Sequence, residues 1–81
     1  MYHLYILKCS DKSLYTGITN DLDKRLASHE EGKGSKYVRS RLPFKLVHTE
    51  RFRNRSNAQK REAKVKGWSR KEKFENLKLG I

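Results

Sequence analysis

Residues 2–9, YHLYILKC, carry apolar groups at both odd and even positions, which predicts a strand covered on both faces rather than an exposed edge. Ser10-Asp11-Lys12-Ser13 is a polar turn, and LYTGIT at 14–19 is a second β-rich run, so the pair predicts an antiparallel hairpin. Gly17 inside that run is costly unless a bulge or the close approach of another group requires it. Asn20 followed by Asp23 predicts an N-cap with an acidic first turn, opening a helix through LDKRLASHEE that stops at Gly32. Residues 33–43, KGSKYVRSRLP, predict a basic loop with one helical turn. FKLVHTERF at 44–52 predicts a third strand, with Phe44, Leu46 and His48 on one face and Lys45, Val47 and Thr49 on the other. Ser56 with Gln59 predicts a capping box for a helix ending near Gly67, and Ser69 with Glu72 a second one for a short last helix containing Phe74 and Leu77. The expected fold is α+β: one domain over residues 1–81, a three-stranded antiparallel sheet flanked by helices in the order β-β-α-β-α-α. No repeat or linker interrupts it.

Three polar side chains fall on faces that should be apolar. Leu22 and Leu26 set the buried stripe of the first helix, and His29 projects within about 20° of Leu22. Arg25 lies at the edge of the same stripe, so a guanidinium and an imidazole stand one turn apart. In the next long helix Ala58 and Val65 mark the apolar face, and Glu62 projects onto the same side, about 40° from Ala58. A carboxylate there needs a cation, a metal or hydrogen bonds to offset its burial. A simple i,i+4 pair with Lys66 is the competing account and leaves the interrupted stripe unexplained. Tyr5 and Tyr15 lie on adjacent strands and, if they share a face, form a platform beside Gly17.

Charge narrows the function. Twenty Lys and Arg against nine Asp and Glu give a net charge of +11, and eleven of those cations lie after residue 50. A balance this basic is the electrostatic footprint of a nucleic-acid partner. No apolar run approaches the ~20 residues of a membrane span. The start of the chain lacks the pattern of a secretory leader. The single Cys9 excludes an internal disulfide and fits a reducing compartment, so a cytoplasmic location is expected; no membrane contact and a monomeric state are expected as well. One Cys and three scattered His also lack structural-zinc spacing.

In combination these residues resemble the GIY-YIG nuclease superfamily, especially its short single-domain bacterial members. The first signature tripeptide falls on His3-Leu4-Tyr5, with His3 in the place of glycine, and the second on Tyr15-Thr16-Gly17. Arg25 and His29 match the basic and His/Tyr positions of the first helix, and Glu62 matches the metal-binding glutamate. The resemblance spans nearly the whole chain. It implies a metal-dependent endonuclease acting on DNA, in repair or processing, with one Mg²⁺ or Mn²⁺ held by Glu62. It further implies that Tyr15 accepts the proton of the attacking water, Arg25 stabilises the phosphate, His29 relays or orients, and Tyr5 positions the water. Gly17 would leave room for the substrate backbone, and Asn76 is the candidate for a late asparagine. Lys24, Lys33, Lys36, Arg39 and Arg41 are expected to track phosphates. The rival readings are a non-catalytic DNA- or RNA-binding module that keeps the fold, and an adaptor for an acidic protein, which leaves Glu62 without a purpose.

Overall fold

The structure, a computed structural model, describes residues 1–79. It contains β1 (Tyr2–Cys9), β2 (Leu14–Thr19), α1 (Leu22–Glu30), α2 (Lys36–Arg39), β3 (Phe44–Phe52), α3 (Arg55–Lys66) and α4 (Arg70–Leu77). The strands form one antiparallel sheet in the order β2-β1-β3, which puts the most apolar strand in the middle. Leu4, Tyr5, Ile6 and Leu7 of β1 are completely buried, as a strand covered on both faces requires.

The alternation of β1 divides the core in two. Leu4 and Ile6 pack with Val65 of α3, bordered by Ile18, Val47, Phe52, Trp68 and Leu77. Tyr5 and Leu7 point the other way and pack with Val38 of α2, bordered by Tyr15, Leu22, Leu26, Leu42 and Phe44. α1 and α2 thus cover one face, while α3 packs across all three strands on the other. No helix among the described residues is long and apolar enough to cross a membrane.

Local signals were off by one or two residues at two helix starts. α1 is capped by Asp21, whose carboxylate accepts from Lys24 N at 3.1 Å, rather than by Asn20. α3 is capped by Asn54, which accepts from Asn57 N at 2.9 Å, so the expected Ser56–Gln59 box lies inside the helix. In both helices the capping oxygen lies three residues before the amide it serves. The Ser69–Glu72 capping box forms as expected, and Gly32 ends α1 at φ +79°.

β3 also departs from strict alternation. His48 pairs with Ile6 but Leu46 pairs with Leu7, so Val47 is the extra residue of a bulge. The bulge moves His48 off the face of Phe44 and Leu46 and onto the α3 face. There Nε2 of His48 lies 2.8 Å from Glu50 Oε2, and Arg61 of α3 donates to both Glu50 oxygens, at 2.9 and 3.1 Å. Burial would raise the Glu50 carboxyl, but the hydrogen bonds from Arg61 and His48 outweigh it and hold the group below its ordinary range. The Arg61 guanidinium also lies 5.3 Å over the Trp68 ring. This network fixes the register of α3 on β3, and with it the position of Glu62 one residue along.

Candidate active site

Tyr5 and Gly17 are direct partners across β1 and β2. A Cβ on Gly17 would stand 2.6 Å from Tyr5 Oη and 2.7 Å from Cζ, so the glycine exists to let the phenol lie across β2. The close approach that the sequence demanded at this position is that of Tyr5. Its hydroxyl then meets His29, with Oη 2.9 Å from Nε2.

His29 is buried at the end of α1, where the sequence put an imidazole on the apolar stripe. The chain turns back immediately afterwards: Gly32 N donates to His29 O and Gly34 N to Ser28 O. This fold-back lays Gly34 on the imidazole, and a Cβ there would be 2.6 Å from Nδ1. Nδ1 is buried with no hydrogen-bond partner. A buried bare lone pair costs less than a buried N–H without an acceptor, which favours the tautomer protonated on Nε2. In that tautomer His29 donates to Tyr5 Oη, and the Tyr5 O–H remains free to donate into the site.

The electrostatics agree. Burial pushes the Tyr5 phenol far above its ordinary value. Tyr15 adds to this, the Arg25 guanidinium opposes it, and the Glu62 carboxylate adds again. Tyr5 therefore stays protonated and acts as a hydrogen-bond donor, not a base. His29 is pushed down, first by burial and then by repulsion from Arg25, and is neutral near pH 7. The charges that bear on the Tyr5 phenol come from Arg25 of α1 and Glu62 of α3.

Tyr15 shares the face of Tyr5, which the sequence leaves open. Its ring centroid is 6.3 Å from that of Tyr5 and 5.5 Å from His29, edge-on to the imidazole. Tyr37 of α2 stacks on its outer side at 5.9 Å, and Phe44 borders His29 at 6.0 Å. Glu62 lies on the side of the buried Ala58 and Val65, with its side chain 22% exposed and one oxygen 3.3 Å from Lys66 Nζ. Both accounts of Glu62 thus hold at once: it interrupts the apolar stripe, and it pairs with Lys66. The lysine is more than half exposed, a partner that water and a cation can replace. Among the described residues no three His, Cys, Asp or Glu side chains converge. Glu62 could offer its carboxylate to a divalent ion, with water and phosphate oxygens completing the shell.

The basic residues separate into groups. Lys24 and Lys33 line a cleft of about 380 Å³ together with Arg25, Asn20, Asp21, Ser28 and Gly34. Lys36 and Arg39 project from α2 into solvent. Arg41 is occupied: it donates to Asp11 at 2.9 Å, to the Tyr37 carbonyl and to Ser40 Oγ, and its Cζ lies 3.9 Å over the Tyr37 ring. Asn76 is exposed on α4. Sequence reasoning passed over Gly34, the Glu50–Arg61 tie and the stacking of Tyr37 on Tyr15. Only Gly34 left a trace, as a second glycine two residues after the one that ends α1.

Comparison with known proteins accords with this geometry. A family model described as the GIY-YIG catalytic domain matches residues 1–76. The chain is 49% identical over 78 residues to a UPF0213 protein of Oceanobacillus iheyensis, covering 96% of this chain and 87% of that one. It is 47% identical over 72 residues to one from Natronomonas pharaonis, covering 89% and 85%. In three dimensions it resembles the solution NMR structure of a UPF0213 protein from Bacillus halodurans, with 45% identity, TM-score 0.64, and 98% of this chain and 85% of that one covered. A second solution NMR structure, from E. faecalis, gives 42% identity and TM-score 0.68 over 95% and 82%. From the domain match and these relatives, the chain belongs to the GIY-YIG catalytic-domain family.

Proposed function

We propose that this protein is a metal-dependent endonuclease that hydrolyses phosphodiester bonds in DNA, acting as a cytoplasmic monomer in DNA repair or processing. The observation that carries the reading is the cluster of Tyr5, Tyr15 and His29, joined by the 2.9 Å contact between Tyr5 and His29, with the Arg25 and Glu62 charges acting on the Tyr5 phenol. Membership of the family supports a nucleic-acid substrate and a divalent ion.

The residues divide the work by their chemistry. Arg25, free of any ion pair among the described residues, offers a planar fork to the phosphate and stabilises the charge that builds on it. Tyr5, held protonated by burial and oriented by His29, donates to the attacking water or to a phosphate oxygen. Tyr15 accepts the proton of that water and passes its own hydroxyl proton outward. The water oxygen bonds to phosphorus, and the bond to the 3′-oxygen breaks with its electron pair leaving on that oxygen. Glu62 would hold the divalent ion, whose charge supports the phosphate and the departing oxygen when it is bound. Lys24 and Lys33 would carry the flanking backbone, with Lys36 and Arg39 adding attraction at longer range.

One observation favours the second reading, a binding module without catalysis: the Glu62 carboxylate is already paired with Lys66. Incubation of the protein with labelled duplex, single-stranded and branched DNA in Mg²⁺ or Mn²⁺, beside Glu62→Ala, separates the two. The nuclease reading expects metal-dependent cleavage that the substitution abolishes while DNA binding persists. Salt-sensitive binding with no cleavage by either protein, whichever metal is supplied, would replace it with the binding module.

A further inference from the structure

Because Asp21 supplies the cap of α1, Asn20 is left exposed between β2 and the helix. Two clefts meet there, and both are lined by Thr19, Asn20 and Arg25. Their remaining walls differ. The larger, toward α1 and the turn after it, has Lys24, Ser28, Lys33 and Gly34 with the Asp21 carboxylate among them, a polar lining on which cations outnumber the one acid. The smaller, about 230 Å³, opens toward the α3 face and is completed by Tyr2, Ile18 and Arg55.

We propose that this smaller cleft seats one unpaired nucleotide of the bound strand, its base against Tyr2 and Ile18 and its phosphate between Arg25 and Arg55. The proposal rests on the nuclease reading for the placement of the scissile phosphate at Arg25, and it names the substrate class: strands with an unpaired nucleotide beside that phosphate.

Three features carry it. Two guanidiniums line one cleft and neither is paired with a carboxylate among the described residues. They repel each other unless an anion lies between them, and their forks suit phosphate. The cleft also offers a half-buried phenol ring and an isoleucine, a surface for a flat apolar face, with the Asn20 amide alongside to meet a base edge. Its volume of about 230 Å³ falls below the ~300 Å³ at which sites for larger ligands begin, a size suited to a single base. A base inside a duplex is stacked on both sides and cannot present its face to Tyr2.

The test is binding by the full-length protein without divalent ion, so that a protein that never cleaves gives an equally clear answer. Labelled single-stranded 12-mers, the same strands made abasic, and a duplex are titrated against wild type, Tyr2→Ala, Tyr2→Leu and Arg55→Ala. Tyr2→Leu preserves an apolar side chain for folding while removing the aromatic face. Both Tyr2 variants should weaken binding of the intact single strand about tenfold and leave the abasic strand and the duplex unchanged. Arg55→Ala should weaken the intact and abasic strands alike. Competition with dAMP separates a free nucleotide from one within a strand. Displacement only at millimolar levels supports the strand, whereas displacement at micromolar levels would transfer the cleft to a free nucleotide and overturn the proposal. Equal losses on intact and abasic strands, or no loss in either Tyr2 variant, would overturn it as well.

Discussion

Oη of Tyr5 lies 2.9 Å from Nε2 of His29, and each member of the pair is seated against a glycine: Tyr5 over Gly17, His29 under Gly34. The pair joins the central strand to the end of α1. It is also the centre on which the charges of Arg25 and Glu62 act. Two glycines far apart in sequence therefore serve one hydrogen bond.

Replacing either glycine tests that relationship. In Gly17→Ala the new methyl group would stand 2.6 Å from the Tyr5 hydroxyl, and in Gly34→Ala 2.6 Å from His29 Nδ1. Each should cost about 1–3 kcal/mol of stability, measured by urea denaturation. Combining Gly17→Ala with Tyr5→Ala should cost less than the sum of the two single changes, since the clash disappears with the ring.

The burial of neutral His29 makes stability depend on pH. Its pKa is lowered in the folded state by burial and by Arg25. The unfolded chain therefore takes up the proton first as pH falls below about 6.5. Stability should be greatest above that value and decline as the pH drops below it. Thermal melts at pH 7.5 and 5.5 should show a smaller difference for His29→Gln than for wild type.

Arg61 should matter for activity without touching substrate. Removing it leaves the Glu50 carboxylate, about four-fifths buried, with only His48 as a partner and frees α3 from β3. Arg61→Ala should destabilise the protein by about 1.5–3 kcal/mol. It should also reduce cleavage through the displacement of Glu62. Raising the metal concentration should recover part of the activity lost in Arg61→Ala and none of that lost in Glu62→Ala.

The cations should separate in a salt titration of DNA binding. Lys24→Ala and Lys33→Ala should each lower the slope of log affinity against log salt by about 1. Arg41→Ala should leave the slope unchanged and lower the melting temperature instead. Its guanidinium is committed to Asp11, Ser40 and the Tyr37 carbonyl and ties the hairpin turn to α2.

Much of the fold follows from local sequence. The unbroken apolar run of 4–7 requires a central strand, and the period of Leu22, Leu26 and His29 requires a helix with its imidazole turned inward. The Ser69–Glu72 box fixes the start of α4. Glu62 on the side of Ala58 and Val65 could be read off the chain because helical geometry alone relates those three positions. The unexpected caps at Asp21 and Asn54 are small errors of the same local kind.

Other features were set by pairing between distant segments. The bulge at Val47 turns His48 toward α3, and nothing in FKLVHTERF announces it, because a bulge depends on the partner strand. Gly17 advertised a close approach without naming what approaches, and Gly34 did not reveal that it lies on an imidazole. Arg41 looked like a free cation until Asp11, thirty residues away, was brought beside it. The sequence by itself determined which segments are strands and helices and which polar groups face inward, since periodicity and capping act within a few residues. Tertiary structure alone decided which of those groups meet, because strand register and helix docking set contacts between residues that no local rule relates.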